Sequence, residues 1–425
     1  MSSPTPTKTP IKPRIIIHGG AGAITPANLP PALYAAHRAA LLGIVSSTAS
    51  LLSDPSTTAL DAAVHAVTLL ELNPLYNAGR GGVFTTAGRI EHESSVMLST
   101  PHPVAGTTMR TSRVKHPILL AKSMLLRASS PDGGGAQTHV QLCGETAERL
   151  AVEWGLEMVR PSWHWSRKRW EQHRRGGSRE AVEDCGYAEA LKKGGWNGTD
   201  YLPQGTVGAV VLDRYGTICA ATSTGGMTNK LPGRIGDTPT IGAGFWAESW
   251  EGSGAVAFVT QDRTVSPLEK ILRGDWTDVL RDWLPEWMLP SPTATYLPVS
   301  TTDVDSKNQS RLTRAVGMSG TGNGDSFLQV CCVRTVAALA RFSSPSPSLQ
   351  TAVSKMAGLG GLLQESAGHR WGKTGEGEGG IIGIELVDGV GNVVSDFNCG
   401  GMFRAWIDDE EKGKMMVFKE EYHDV

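Results

Sequence analysis

Two apolar runs joined by three turn residues constrain this chain most tightly. Thr206-Val207-Gly208-Ala209-Val210-Val211-Leu212-Asp213 reads as one buried strand and Thr217 to Ser223 as another, with Arg214-Tyr215-Gly216 between them. Strands mixed with helices, and hairpins rather than only βαβ units, favour a layered α/β sandwich. A three-residue loop with Gly216 in the left-handed position pairs Asp213 with Thr217. The same register sets Thr206 opposite Thr224, so two hydroxyls meet at the open end of a buried hairpin. Threonine is common in strands for its β-propensity alone. The pair gains meaning only from its surroundings.

Other elements follow from pattern. A strand at 14–18 runs into His18-Gly19-Gly20-Ala21-Gly22-Ala23, and Ala/Leu-rich helices are expected at about 31–52 and 57–72. The segment Asn77-Ala78-Gly79-Arg80-Gly81-Gly82 precedes a strand-like 83–90. Further helical patterns occupy 117–126, 140–154 and 327–341, the last capped by Asp325 or Ser326. Residues 166–204 crowd basic and then acidic side chains among glycines and read as an exposed linker. A tryptophan- and proline-rich piece at 275–310 reads as an inserted loop or small subdomain.

Several classes are excluded. Lys and Arg number 40 against 42 Asp and Glu, which argues against a globally basic nucleic-acid binder. The 6 cysteines include no C-x-x-C pair, so neither a disulfide scaffold nor a zinc ribbon is indicated. With no secretory apolar region and no run near the roughly 18 apolar residues of a span, the expectation is a cytoplasmic protein without membrane partners. Ala367 to Thr374 mimics a phosphate loop, but the glycine- and glutamate-rich sequence after it cannot form the required helix. No motif suggests a catalytic metal or an organic cofactor.

Two further clusters carry chemistry. Arg234 and Asp237 stand three residues apart in Leu231-Pro232-Gly233-Arg234-Ile235-Gly236-Asp237. An arginine fork holds a carboxylate and an aspartate holds an ammonium, so together they suit the free end of an α-amino acid, unless they merely pair with each other. In Met318-Ser319-Gly320-Thr321-Gly322-Asn323-Gly324-Asp325, backbone N–H groups and the Ser319 hydroxyl suit a developing oxyanion.

Taken together, these segments resemble the plant-type L-asparaginase/isoaspartyl peptidase family of N-terminal-nucleophile hydrolases. The resemblance runs from His18-Gly19-Gly20-Ala21-Gly22-Ala23-Ile24 through Asn77 to Gly81 and Gly205 to Val210. It continues through Thr222-Ser223-Thr224-Gly225-Gly226-Met227-Thr228-Asn229-Lys230-Leu231-Pro232-Gly233-Arg234 and ends at Gly401 to Trp406.

The resemblance implies a four-layer αββα sandwich forming one globular unit and a precursor that cuts itself between Gly205 and Thr206. Residues 1–205 would form an α chain, with 14–165 folded and 166–205 a flexible linker. Residues 206–425 would form a β chain carrying an insertion at about 250–312. Thr206 would be the nucleophile, Thr224 its orienting hydroxyl, Ser319 and Gly320 the oxyanion pair, and Asn77 the residue that orients the new amine. Arg234 and Asp237 would bind the substrate α-carboxylate and α-amine, with Gly320 and Gly322 beside them. Backbone carbonyls of Leu70, Glu71, Asn73, Tyr76, Ala78 and Arg80 would hold a structural sodium ion. The implied substrate is L-asparagine or a β-aspartyl dipeptide, and the implied assembly a dimer of cleaved αβ heterodimers.

Three departures stand out: Ser319 where the family usually has threonine, a longer entry to the following helix after Gly322, and the insertion. Glycosylasparaginase-like and threonine-endopeptidase-like hydrolases are the related alternatives. The first acts in a lysosomal setting, and the second would have no use for a receptor of free α-amine and α-carboxylate. An unprocessed, non-enzymatic scaffold would never split.

Overall fold

The isoleucine run after Arg14 becomes a strand that continues through the glycines following it. In the computed structural model, which describes residues 11–100, 104–176, 205–252 and 312–420, strand β1 spans Arg14–Gly22. Helices α1 (Pro31–Leu52) and α2 (Ala59–Leu72) follow, α2 capped by the Thr58 side chain, which accepts the Asp61 N–H. Strands β2 (His92–Leu98) and β3 (Val104–Thr111) lead to helix α3 (Pro117–Arg127), strand β4 (Gln141–Cys143) and helices α4 (Gly144–Glu153) and α5 (Arg167–Gly176). The expected hairpin is β5 (Val207–Leu212) with β6 (Ile218–Thr224), and then come β7 (Phe245–Gly252) and β8 (Leu312–Gly322). Helices α6 (Gly324–Gln329), α7 (Cys332–Phe342), α8 (Leu349–Ala357) and α9 (Leu362–Ala367) precede the last strands. These are β9 (Gly379–Val387), β10 (Val390–Phe397), β11 (Gly401–Ile407) and β12 (Gly413–Met416).

Among the described residues the strands form two sheets, ordered β12-β11-β1-β5-β6-β2-β3-β4 and β10-β9-β8-β7. The hairpin lies inside the first. Val207 pairs with Ser223 and Leu212 with Ile218, and the Asp213 N–H donates to the Thr217 carbonyl at 3.0 Å. Gly216 turns the loop at φ 89°. One further step along this ladder sets Thr206 against Thr224, as the sequence predicts.

Strand alternation explains why the hairpin is apolar on both faces. Val207, Ala209 and Val211 share a core with Leu41 and Val45 of α1 and Val67 and Leu70 of α2. Val210 and Leu212 point the other way, against Ile382, Ile384 and Leu386 of β9. Beyond that, Val316 and Met318 of β8 pack on Val336 of α7 and Val353 of α8. The fold is thus mixed α/β, with two sheets sharing an interior and helices packed on each. Every such aliphatic side chain contributes roughly 1.5–3 kcal/mol by leaving water, so a charge at Val210 would unseat the strand that carries Thr206.

Four expectations need correction. Residues 83–90 form no strand; the Thr85 N–H closes a turn on the Arg89 carbonyl at 2.7 Å, and Thr85 makes an isolated bridge to Lys230. The helix expected from 140 starts only at Gly144, because Gln141 to Cys143 pair in parallel with β3, and Gly144 at φ 60° marks the switch. The helix expected over 327–341 breaks at Cys331, whose φ is 46°. That break lets the first N–H groups of α7, from Val333 and Arg334, donate to the carbonyls of Ala243 and Gly242. Asn323, not Asp325 or Ser326, caps α6, accepting the Ser326 N–H at 3.0 Å.

The exposed-linker reading fails at its beginning, where Arg167–Gly176 is a helix with Arg169 buried; residues 177–204 lie outside the described residues. Helix α1 is long and apolar enough by length and composition to cross a membrane, which the sequence reading did not find. Its Leu41, Ile44, Val45 and Leu52 are buried in the core. The chain divides into two units, Met1–Glu251 with Leu312–Val425, and Gly252–Arg311. The second, with its tryptophan-rich piece, lies outside the described residues except for Gly252.

Candidate active site

The open end of the hairpin brings Thr206 and Thr224 to a small pocket, both almost fully buried. The Thr224 hydroxyl accepts the Gly226 N–H at 3.0 Å, which fixes the turn after β6. From the second sheet, Thr321 near the end of β8 accepts the Thr206 N–H on its Oγ1 at 2.9 Å. The Thr206 hydroxyl lies 3.2 Å from that of Thr238, which the sequence reading did not single out. The residue before the hairpin has no room for a side chain. A Cβ on Gly205 would stand 2.7 Å from the Gly20 Cα and 3.2 Å from the Ala21 nitrogen.

The residues expected to form the oxyanion pair lie away from the pocket. Ser319 is fully buried and engaged elsewhere, 2.7 Å from His18 Nε2 and 3.2 Å from the Thr222 hydroxyl. Gly320 donates its N–H to the Gly244 carbonyl at 2.8 Å, and a Cβ there would strike the Phe327 ring. Neither lines the pocket; Gly322 does. Ser319 and Thr321 share one face of β8, and the stagger between the sheets brings the second of them, not the first, level with Thr206. The missed signal was the hydroxyl inside Gly320-Thr321-Gly322.

Arg234 and Asp237 do converge on the pocket, a space of about 330 Å³ that includes open solvent. They do not pair with each other. Arg234 Nη2 meets Asp325 Oδ1 at 3.0 Å, while Arg234 Nε and Asp237 Oδ2 are buried without a hydrogen-bond partner. Unpartnered buried groups of opposite charge are costly unless a ligand meets them. Burial raises the Asp237 carboxyl from 3.8 to about 7; Arg234 opposes the rise and Glu93 adds to it. Glu93 also holds the turn from beneath. Its two oxygens accept the Gly236 N–H at 3.2 Å, and Lys230 Nζ lies 3.4 Å away.

Asn77 reaches the site but not the nucleophile's nitrogen. Its Nδ2 donates to the Gly226 carbonyl at 2.6 Å and its Oδ1 accepts the Val83 N–H at 3.1 Å. The Gly225 N–H donates to the Asn77 carbonyl at 3.0 Å. Asn77 therefore braces the turn beside Thr224, while Thr321 holds the Thr206 N–H.

Fold and pocket define a class: a mixed α/β protein whose central hairpin sets two threonines, Thr206 and Thr224, in one pocket with a carboxylate and a guanidinium. The chain belongs to the asparaginase family, since the sequence profile of a family described as "Asparaginase" matches residues 11–258. Similar relatives include an "Isoaspartyl peptidase" of Salmonella typhimurium, 32% identical over 92% of this chain and 94% of the relative. The "Isoaspartyl peptidase" of Escherichia coli is 31% identical over 92% of each chain. A "Plant-type L-asparaginase" of Pyrococcus furiosus is 34% identical over 56% of this chain and 72% of the relative.

Proposed function

We propose that the protein hydrolyses the side-chain amide of L-asparagine, or the isopeptide bond of β-aspartyl dipeptides, through an N-terminal threonine. The observation that carries this is the pocket itself. Thr206, Arg234 and Asp237 line one small space, which suits a reacting side chain attached to a free α-amino acid end.

In the first step, Thr206 Oγ1 adds to the Gly205 carbonyl, its proton passes to the Thr206 nitrogen as the C–N bond breaks, and water hydrolyses the resulting ester to part the chain as a Gly205 carboxylate and a Thr206 α-amine. The α-amine so freed, with an ordinary pKa of ~7.7–8.0, then serves as the standing base that accepts the hydroxyl proton in each turnover. Thr206 Oγ1 then attacks the substrate amide carbon, ammonia or an amino acid leaves, and water releases aspartate. Thr321 Oγ1 and the Gly322 backbone take the oxyanion role, supported by Thr321 standing 2.9 Å from the Thr206 nitrogen. Thr224 orients the nucleophile, Arg234 holds the substrate α-carboxylate and Asp237 its α-amine.

The layered cores support the αββα sandwich of N-terminal-nucleophile hydrolases. The loop after α2 suits a sodium ion on the backbone carbonyls of Leu70, Glu71, Asn73, Tyr76, Ala78 and Arg80. A Cβ on Gly79 would lie 2.3 Å from the Glu71 oxygen and one on Gly81 1.8 Å from that of Tyr76, so the carbonyls crowd a space no side chain enters. Such an ion would stiffen the loop that carries Asn77. The resemblance also supports a dimer of cleaved heterodimers, which sedimentation of the matured protein tests.

Intact-mass analysis of aged protein, run beside an aspartate-release assay, tests the whole reading. The expected result is two fragments, the second beginning at Thr206, with Thr206→Ala unsplit and inactive. Active protein with an unbroken Gly205–Thr206 bond would overturn it.

A further inference from the structure

The polar contacts of helix α5 converge on the segment after β6, which lines the pocket, and on the loop that braces it. Its strongly basic sequence suggests a solvated surface, yet Arg169 is 1% exposed. Arg169 Nε donates to the Gly81 carbonyl at 2.7 Å and Nη2 to the Leu75 carbonyl at 3.3 Å, while Nη1 donates to Gln172 Oε1 at 3.1 Å. The two carbonyls bracket Asn77 in sequence. From the next turn, His173 Nδ1 and Asn229 Oδ1 lie 2.5 Å apart, and Asn229 Nδ2 donates to the His173 carbonyl at 3.2 Å. Asn229 holds a left-handed backbone at φ 58°, a conformation for which this side-chain bonding compensates. Between the two clasps Trp170 packs edge-on against Phe84, ring centroids 5.2 Å apart.

We propose that α5 is a clamp on the pocket. Arg169 is its positioning residue, holding the Leu75–Gly81 loop, and with it Asn77, against the turn at Gly225 and Gly226. The proposal rests on reading that pocket as the reaction site. A guanidinium fork suits the task because one planar group satisfies carbonyls at both ends of the loop at once, which a lysine ammonium on a flexible stem does not. The contacts run without a gap from Arg169 through the loop to Asn77, and from Asn77 to the Gly226 carbonyl and the Val83 N–H. Thr224 bonds that same turn from the other side. The segment leading toward the cut is therefore anchored beside the pocket by α5, so the upstream fragment keeps a role after cleavage.

The test uses the full chain with Arg169→Gln, Arg169→Lys and Arg169→Ala. Hydrogen exchange reads the Val83 and Gly225 amides, both bonded to Asn77, and steady-state kinetics use a β-aspartyl dipeptide. The clamp requires protection at these two amides to fall about tenfold, the scale of coupling through side-chain networks, with the α1 and β9 amides unchanged. It also requires kcat to fall about as far with KM little altered, and added guanidinium to restore part of kcat in Arg169→Ala. Unchanged protection at both amides, or an equal loss throughout the molecule, overturns it. Should the alanine variant fail to fold, Arg169→Lys carries the test, since it keeps the charge and loses the fork. Wild-type protein that hydrolyses nothing would sink the functional reading while the exchange data still decide the clamp.

Discussion

Thr206 of the first sheet and Thr321 of the second meet through one hydrogen bond, from N–H to Oγ1 at 2.9 Å. Ser319, two residues earlier on the same strand, bonds His18 and Thr222 instead. The two hydroxyls therefore separate by experiment. Thr321→Ala should lower turnover by about 10²–10³, the usual effect of losing one oxyanion donor. Ser319→Ala should leave turnover within a few-fold and cost about 1–3 kcal/mol of stability by stranding buried partners. The reverse pattern, read from kcat and urea midpoints, would restore Ser319 to the site.

Gly205→Ala should block self-cleavage. The new methyl would stand 2.7 Å from the Gly20 Cα, against backbone with little freedom to retreat. Electrophoresis after long incubation should show one band where the parent shows two, and normal splitting would mean the junction is roomier than described.

Asp237 makes substrate capture depend on pH. Its carboxyl, raised to about 7 chiefly by burial, must ionise to hold an ammonium, so kcat/KM should climb as pH rises through about 7. Stability runs the opposite way. Between 3.8 and about 7 the folded protein binds this proton more tightly than the unfolded chain does, so stability falls as pH rises through that window. Asp237→Asn should melt higher than the parent at pH 8, match it near pH 4, and bind aspartate poorly. Equal melting temperatures at pH 8 would show that ionising Asp237 costs the fold nothing.

Buried imidazoles set the acid limit. Burial lowers His18 and His37 to about 3 and His164 to about 4. The unfolded chain takes up these protons near 6.5 and the folded one refuses them, so the imidazoles' contribution to stability is complete above 6.5 and is lost as pH falls toward 3–4. His37 stacks on Phe403 with ring centroids 4.1 Å apart, so His37→Phe keeps a ring there and removes one proton site. Its denaturant midpoints between pH 7.5 and 5 should slope less by about one proton; an unchanged slope would exclude His37 from the effect.

Local chemistry settled much of this protein. Apolar alternation, a left-handed glycine and a three-residue loop determine the β5–β6 register, and so the meeting of Thr206 with Thr224. Arg234 and Asp237 were legible because one tight turn carries both. Tertiary structure decided what depends on distant chain segments: that Thr321 rather than Ser319 stands level with Thr206, that Thr238 lies beside its hydroxyl, and that Arg169 is buried. Ser319 and Thr321 occupy the same face of one strand, and nothing local distinguishes them. The offset between two packed sheets does, and it arises from side-chain volumes across the shared core rather than from any pattern within β8. A basic helix such as α5 reads as solvated surface until carbonyls from a loop far back in the chain surround its guanidinium.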